Sequence, residues 1–492
     1  MTLGENGIFN KAKYAKEQYE IATIKEEIQT EILAKQVGNE GKISDSSLKV
    51  ILEKYGTINY EEDGTTIKSI TTTEGGYEIS IADIWTGTTV TVIADGSFNG
   101  TLHTPKIEGT GLIAVYWDED TSEWVDLTES SSQEEWDNWY NYADTSQEGA
   151  GTSKWANARS KDGSMWVWIP RYEYKIDSTN QTIDVKFIEI GATTTTGYIL
   201  HPAFSNEIEN GGWSSDLPGF WVAKYEAGFQ NSTVGEETKI VEYSDLKYTT
   251  VDSSYTTNFL GTITVDTTAL SYPVFKANTY AYNLISVGDA WLISQEIDTA
   301  SMYGLSNVDS HMLKNSEWGA VAYLTHSKYG VNGNSTDMNE VTANRKNMND
   351  TTKNVYAVTS YGENDTPNDV NASSTKNMTG VFDLNGGTWE RVAGFLQGGA
   401  ASTPAWHNAM ATSSTTSSSK YLTLYTANDK LGDATNETSR WNSDNYYFLT
   451  SGFPVFVRGG GCSNGVETGV FALSVTEGFP VYAGGFRACL AF

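Results

Sequence analysis

The sequence predicts an α+β protein with an amphipathic N-terminal helix, a small β-rich head and then a large irregular domain. Isoleucines recur at helical spacing near the N-terminus, and segments of alternating polarity follow them. From about Thr110, Trp-rich segments alternate with loops of Gly, Ser, Thr and Asn, and helical periodicity is scarce. A chain of 492 residues has room for two or three domains.

The N-terminal region is expected to form one long helix over Asn10–Gln36. Ile21, Ile24, Ile28 and Ile32 follow the helical repeat and form an apolar stripe, with Lys and Glu on the other face. The stripe could pack on the head of this chain or on neighbouring subunits. The residues alone leave both arrangements open.

The head is expected over residues 43–109. A short helix is predicted at Ser46–Lys54, and alternating segments at Tyr77–Ile81 and Thr88–Val92 predict strands. Residues 110–164 would begin the large domain and include a polar, acidic insertion or linker. The remainder, residues 165–492, would form the main body of that domain.

The charge of the chain excludes one class of partner. The formal net charge is −30, and such a field repels a phosphate backbone, so no nucleic-acid partner is expected. No apolar run approaches the length of a membrane span, and no secretory signal opens the sequence.

Cysteine and histidine give no metal-site pattern. Cys462 and Cys489 could pair or remain two free thiols, and the five His residues are scattered without ligand spacing. Metal-binding residues are therefore left unassigned. Neither a Ser-His-Asp arrangement nor a closely spaced carboxylate pair emerges.

The opening segment Leu3–Gln18 resembles the stretch that follows the membrane helix in type IV pilin-like proteins of Gram-positive bacteria. The resemblance implies that residues 1–42 are the exposed half of a pilin helix and that the membrane half is missing. It also implies pilin subunits as partners of this helix, membrane contact only through the missing segment, and a bacterial, pilus-like location at the cell surface.

Six blocks in the large domain occur in a recognisable order. They are Met165–Tyr174, Leu217–Gly228, Asn315–Leu324, Gly380–Gly394, Arg458–Gly460 and Gly485–Arg487. Together they resemble the formylglycine-generating-enzyme (sulfatase-modifying factor) family, which has an irregular C-type-lectin-like fold. The resemblance implies a helix at Asn315–Leu324 with Trp318 facing the core, and it implies scaffold roles for Trp389 and Glu390.

The enzyme chemistry of that family is not expected here. The family holds copper with two cysteines a few residues apart, whereas this chain has Cys462 near that place and Cys489 in the closing strand. One thiol does not make a copper(I) site. No cofactor is therefore predicted. Calcium would be compatible with a lectin-like fold, but its ligands cannot be assigned.

The C-terminal pattern of Pro454, Phe456 and Arg458–Gly460, followed by Gly469–Phe471 and Gly485–Arg487, is similar to the variable region of diversity-generating retroelement proteins. In that family, error-prone copying at adenines diversifies Asn codons in the last stretch of the gene. The resemblance implies that the segment of about residues 453–483 is variable. An apolar cluster at residues 479–482, where a polar loop is expected, also suggests an interaction site.

The predicted function is ligand binding at the cell surface by diversified loops, without catalysis. The partner would be a protein or glycan on another cell, a phage or a host. The alternatives are an oxidase of the formylglycine-generating type and a structural pilin or adhesin with fixed loops. The predicted ligand-binding residues are Val455, Gly461, Cys462, Ser463, Asn464, Val466, Ser474, Val475, Thr476, Phe479, Pro480, Val481, Tyr482 and Ala483. The predicted scaffold residues are Arg458, Gly459, Gly460, Phe471, Phe486 and Arg487.

Overall fold

Strands outnumber helices in the computed structural model of the chain, which divides into two units, Met1–Thr101 and Leu102–Phe492. The structure describes residues 16, 20–32, 42–60, 67–73, 76–84, 91–93, 104–128, 130–233, 272–283, 285–332, 357–362, 366–399, 406–462, 464, 467–481 and 483–492. Within these ranges no helix is both long and apolar enough to cross a membrane.

The first unit contains short helices and small sheets. Its helices α1, α2 and α3 span residues 20–32, Asp45–Tyr55 and Ile81–Ile84. Its strands β1 to β5 span Lys42–Ser44, Gly56–Tyr60, Ile67–Thr72, Glu78–Ser80 and Thr91–Ile93. Strands β2, β3 and β4 form an antiparallel sheet, and β1 pairs in parallel with β5. The helix predicted at Ser46–Lys54 is confirmed as α2.

The prediction of a long pilin-like helix at the N-terminus is wrong. The described helix α1 covers only part of the range Asn10–Gln36, most of whose other residues lie outside the described ones. Ile28 and Ile32 are buried in one cluster with Ile70 and Ile79 of the small sheet. Burial of a side chain of this size stabilises by about 1.5–3 kcal/mol. The apolar stripe therefore serves the unit's own core.

The second unit is built mainly from strands. Strands β6 to β15 span Ile113–Asp118, Glu123–Asp126, Asn157–Arg159, Met165–Pro170, Tyr172–Asp177, Thr182–Phe187, Ile199–Leu200, Gly219–Ala223, Gly228–Thr233 and Thr279–Ala281. Strands β16 to β24 span Asp309–Met312, Tyr361–Gly362, Thr366–Pro367, Trp389–Leu396, Thr423–Tyr425, Val455–Gly459, Gly469–Thr476, Gly484–Phe486 and Ala488–Ala491. Helices α4 to α7 span Gln133–Asp137, Thr145–Glu148, Val287–Ser294 and Asn315–His326.

Two sheets organise this unit. An antiparallel sheet of seven strands has the order β16-β24-β13-β9-β8-β6-β7. A mixed sheet of five strands has the order β20-β19-β21-β22, and β23 also pairs with β19. Strands β9 and β13 are buried along their whole length, which explains their near-continuous apolar sequences.

The α+β assignment is therefore wrong, because the described residues are predominantly β. The Trp-rich segments of the large domain account for much of the difference between the predicted and the observed class. They form paired strands rather than a few helices around small sheets. A β-rich, lectin-like arrangement is compatible with what is observed. The helix predicted at Asn315–Leu324 is confirmed as α7, and Trp318 is fully buried.

Helix α7 packs against the buried side of the five-stranded sheet. Every residue of the helix is buried. The Trp318 indole N–H donates to the carbonyl oxygen of Val470 in β22 at 2.8 Å, and the Arg458 guanidinium of β21 lies 5.7 Å from the centre of the Trp318 ring. The helix thereby fixes strands β21 and β22, which flank the loop at residues 460–468.

Arg487 joins the two sheets. It stands between β23 of the five-stranded sheet and β24 of the seven-stranded sheet. Its guanidinium donates to both carboxylate oxygens of Glu390 in β19, at 3.0 and 2.7 Å. It also donates to the carbonyl oxygens of Ala223 and Phe382, each at 2.8 Å. Both charged side chains are fully buried, so each depends on the other for charge compensation.

Substitution of Arg487 should therefore be severely destabilising. We expect Arg487→Ala to lower the free energy of unfolding by about 3–5 kcal/mol, because it leaves the Glu390 carboxylate buried without its cation. Urea unfolding followed by tryptophan fluorescence measures the change. The control is Arg159→Ala, which removes a partly exposed ion pair with Asp126 and should cost at most about 1 kcal/mol. Equal effects of the two substitutions would contradict this account of Arg487.

Candidate ligand-binding cavity

The C-terminal hairpin places the predicted variable segment on one sheet. Strands β21 and β22 are antiparallel, with Val457 opposite Ser474 and Val455 opposite Thr476. Gly459 and Gly460 follow with φ values of +82° and +84°, a conformation that side chains with a Cβ rarely adopt. A Cβ on Gly460 would also lie 2.5 Å from the Thr468 side chain. The turn thus requires the two glycines of the Arg-Gly-Gly sequence.

An open cavity of about 410 Å³ lies on this sheet. It is lined by Trp389, Arg391, Asn445, Tyr447, Val457, Asn464, Glu467, Ser474, Val475, Thr476, Val481, Ala483 and Gly484. The lining comes from strands β19, β21, β22 and β23, and from residues 445 and 447. It also includes residues of the first C-terminal loop, at 460–468, and of the second C-terminal loop, at 477–483. Most pockets for small ligands have volumes of roughly 300–1,000 Å³, so this cavity could hold a compact group.

Strand alternation explains the floor of the cavity. Trp389 and Arg391 are two residues apart on β19 and therefore share a face. The register sets Arg391 opposite Val457, and Val457 opposite Ser474. Because directly opposite residues lie on the same face of a sheet, these side chains form one surface. Glu390, between Trp389 and Arg391, points instead toward Arg487 in the core.

Trp389 contacts the first C-terminal loop through Asn464. The indole N–H donates to Oδ1 of Asn464 at 3.0 Å, and the backbone N–H of Gly461 donates to the same oxygen at 3.0 Å. The backbone N–H of Asn464 donates to the carbonyl oxygen of Gly461 at 2.8 Å. Asn464 therefore organises the loop and also lines the cavity.

Arg391 holds the second C-terminal loop through a hydrogen bond to its backbone. Its side chain is buried, and its Nη2 donates to the carbonyl oxygen of Phe479 at 2.9 Å. A Cβ on Gly484 would lie 2.6 Å from both terminal nitrogens of the guanidinium. The glycine at this position is therefore needed to let the strand pass over Arg391.

A third segment, Asp444–Tyr447, flanks β22 on its outer side. The backbone N–H of Asn445 donates to the carbonyl oxygen of Glu467 at 3.0 Å, and the N–H of Leu473 donates to the carbonyl oxygen of Asn445 at 2.9 Å. The N–H of Tyr447 donates to the carbonyl oxygen of Leu473 at 3.0 Å. The segment thus adds Asn445 and Tyr447 to the wall of the cavity.

The predicted ligand-binding residues fall into four groups. The residues that line the cavity are Asn464, Ser474, Val475, Thr476, Val481 and Ala483. Val455, Gly461, Cys462 and Pro480 are buried and are not part of the lining. Phe479 is half-buried, and its carbonyl oxygen binds Arg391. Ser463, Val466 and Tyr482 lie outside the described residues.

The predicted scaffold residues are all buried. They are Arg458, Gly459, Gly460, Phe471, Phe486 and Arg487. Sequence reasoning treated Trp389 as scaffold, and the other lining residues that it missed are Arg391, Asn445, Tyr447, Val457, Glu467 and Gly484. Strand alternation could have identified Val457, which is two positions after Val455. Nothing in the sequence pattern links Tyr447 to the C-terminal loops.

The two cysteines have different surroundings. Both are buried and no disulfide joins them, so the structure has two thiols rather than a bridged pair. Cys462 packs with Ala281 and Ala357. Cys489 lies in β24, and burial raises the pKa of its thiol well above the usual value.

One cluster of three buried side chains consists of residue types that bind metal ions. Ligand atoms of His311, Glu317 and Cys489 lie within 4.8 Å of one another. The Glu317 carboxylate already accepts hydrogen bonds from the Trp213 indole at 3.1 Å and from the backbone N–H of Lys314 at 2.8 Å. The Lys314 ammonium lies 3.5 Å from it. Burial opposes ionisation, but His311 and Lys314 lower the pKa of Glu317 to about 2. Protein groups therefore already satisfy this carboxylate.

Comparison with known proteins gives a distant structural likeness. The chain is similar to a solved structure, the Major Tropism Determinant P3c Variant, with 14% sequence identity, and the match covers 89% of this chain and 97% of that one. The TM-score of 0.27 is too low to carry an argument about fold or function. The sequence matches no protein-family model and no curated protein. The pilin and formylglycine-generating-enzyme resemblances therefore gain no support from these comparisons.

Asp444 links the cavity wall to the start of β22. Its carboxylate accepts a hydrogen bond from the backbone N–H of Phe471 at 3.0 Å, and it occupies the space where a Cβ of Gly469 would lie. Burial raises the pKa of Asp444 to about 7, against the opposing effects of the Phe471 N–H and the Arg458 charge. The folded protein therefore binds this proton more tightly than the unfolded chain does.

The stability contributed by this proton should be lost as the pH rises from about 4 to about 7. In the variant Asp444→Asn the side chain stays neutral, so we expect its loss of stability between pH 5 and pH 7 to be smaller than that of the wild type by about 2 kcal/mol. Urea unfolding at the two pH values measures this difference, with the exposed Asp120→Asn as control. An unchanged pH dependence in Asp444→Asn would show that this carboxyl does not titrate as described.

Proposed function

We propose that this chain is a ligand-binding protein that recognises its partner through the cavity on the five-stranded sheet. One observation carries the proposal: residues from the end of β22 and from the loops on either side of this strand meet in a single open cavity. These residues are Asn464, Ser474, Val475, Thr476, Val481 and Ala483, and we call them the exchangeable positions. Their side chains line the cavity, whereas the six predicted scaffold residues are buried and are not part of its lining.

The exchangeable positions can change at little cost to the fold. Each is exposed or half-buried, and surface substitutions away from special features usually change stability by less than about 0.5 kcal/mol. Asn464 is the exception, because it also accepts hydrogen bonds from Trp389 and Gly461. Diversification of the C-terminal segment by a retroelement is part of the proposal, and it would alter the cavity without altering the sheet.

The chemistry of the lining indicates the kind of partner. Aromatic faces from Trp389 and Tyr447 lie beside hydrogen-bonding side chains such as Asn445, Ser474 and Thr476. Binding surfaces of this composition combine rigid aromatic contacts with adaptable polar ones. A protein or glycan that inserts a protruding group fits such a lining, whereas the net charge of −30 disfavours nucleic acid. Display outside a bacterial cell stays a prediction from the sequence.

Selection from a library tests the proposal. The protein is displayed with the exchangeable positions randomised, and variants are selected for binding to purified lysozyme as a defined protein probe. We expect binders with dissociation constants of about 1 μM or tighter, because the library changes the side chains of the lining and leaves the strands that carry them unchanged. Affinity is measured by calorimetry on purified variants.

The matched control is a library in another exposed loop of the same unit. It randomises the exposed residues Glu189, Ile190, Ala192, Thr193, Thr194 and Thr196. We expect this loop to give no binders of comparable affinity, since it lines no part of the cavity. The proposal fails if folded variants of the cavity library yield no binders, or if both libraries yield them equally often.

A further inference from the structure

Tyr447 differs from the other residues that line the cavity. It belongs to the segment Asp444–Tyr447, outside the exchangeable positions, yet its side chain is 61% exposed and faces the same cavity. Within the described part of the chain, no hydrogen bond of its hydroxyl is found. Single exposed aromatic residues are common on protein surfaces. The combination of high exposure, a cavity position and an available hydroxyl makes this residue distinctive.

Hydrogen bonds to the backbone of Glu467 and of β22 hold Tyr447 and its segment in position. Its N–H donates to the carbonyl oxygen of Leu473 in β22 at 3.0 Å, and Tyr446 forms a parallel bridge to the same residue. Two residues earlier, Asn445 bonds the backbone of both Glu467 and Leu473. These bonds involve main-chain atoms, so they do not depend on which side chains occupy the exchangeable positions.

Trp389, the other aromatic residue of the lining, is in a different situation. Its indole N–H is bonded to the side chain of Asn464, which is itself an exchangeable position. Any change of Asn464 therefore changes the surroundings of Trp389. No such side-chain link from an exchangeable position to Tyr447 is present among the described residues. Tyr447 is thus the aromatic residue of the lining whose backbone is held independently of the exchangeable side chains.

We propose that Tyr447 is a constant anchor that contacts the ligand whichever side chains fill the exchangeable positions. This inference rests on the proposed function. A tyrosine suits the role because it offers a large ring and one hydroxyl while only two side-chain torsions become ordered. Its backbone is already held in place, so the free energy cost of ordering the backbone is small when the ligand binds. The exchangeable positions would then select the partner, while Tyr447 contributes binding energy common to all partners.

The test uses several independent binders selected against lysozyme from the cavity library. Each is purified as the full chain and as the variants Tyr447→Ala, Tyr447→Phe and Phe453→Ala. Phe453 is the matched control, because it is also an exposed aromatic residue, at 46%, and does not line the cavity. Thermal unfolding of every variant confirms that each is folded before its affinity is measured.

We expect Tyr447→Ala to weaken lysozyme binding at least about tenfold in most binders, whatever their loop sequences, and Phe453→Ala to change it less than about twofold. Tyr447→Phe separates the contribution of the ring from that of the hydroxyl. Folded Tyr447→Ala variants that bind as tightly as their parents would overturn the inference and leave the proposed function intact. Failure to select any binder from the cavity library would overturn both.

Discussion

The buried pair of Arg487 and Glu390 is the interaction on which the rest of the second unit depends. Arg487 stands where the chain passes from the five-stranded sheet to the seven-stranded sheet, and its guanidinium bonds Glu390 on one side and Ala223 on the other. A charge pair in this environment is stable only when every donor and acceptor is satisfied. It therefore fixes how β19 lies relative to the core, and β19 carries two residues of the cavity floor.

The cavity follows from the two faces of β19. Glu390 points into the core, so its neighbours Trp389 and Arg391 must point the other way. Each of them then holds one C-terminal loop: Trp389 bonds Asn464, and Arg391 bonds the carbonyl oxygen of Phe479. The contacts that stabilise the sheet and the contacts that position the loops thus belong to consecutive residues of one strand. The contact of Arg391 goes to a backbone oxygen and remains when loop side chains change, whereas the contact of Trp389 depends on Asn464.

Sequence reasoning predicted part of this arrangement. The Arg-Gly-Gly turn has the positive φ angles that only glycine adopts readily, and α7 with its buried Trp318 lies at the predicted place. The α+β class was wrong, because the Trp-rich segments form paired strands. The long pilin-like helix was wrong, because an amphipathic isoleucine stripe looks the same whether it packs on its own sheet or on another subunit. Tyr447 could not be found, since its backbone pairing with β22 brings together residues that no local pattern connects.

The central claim is that the side chains lining the cavity can be exchanged, while the strand residues that hold the loops stay the same. Sequencing the end of this gene in many sibling cells of one lineage tests the claim most directly. The account predicts amino-acid differences concentrated at the exchangeable positions, such as Ser474 and Val481, with Trp389, Arg391 and Arg487 unchanged. Differences confined to silent third bases, or spread evenly over lining and scaffold, would contradict it.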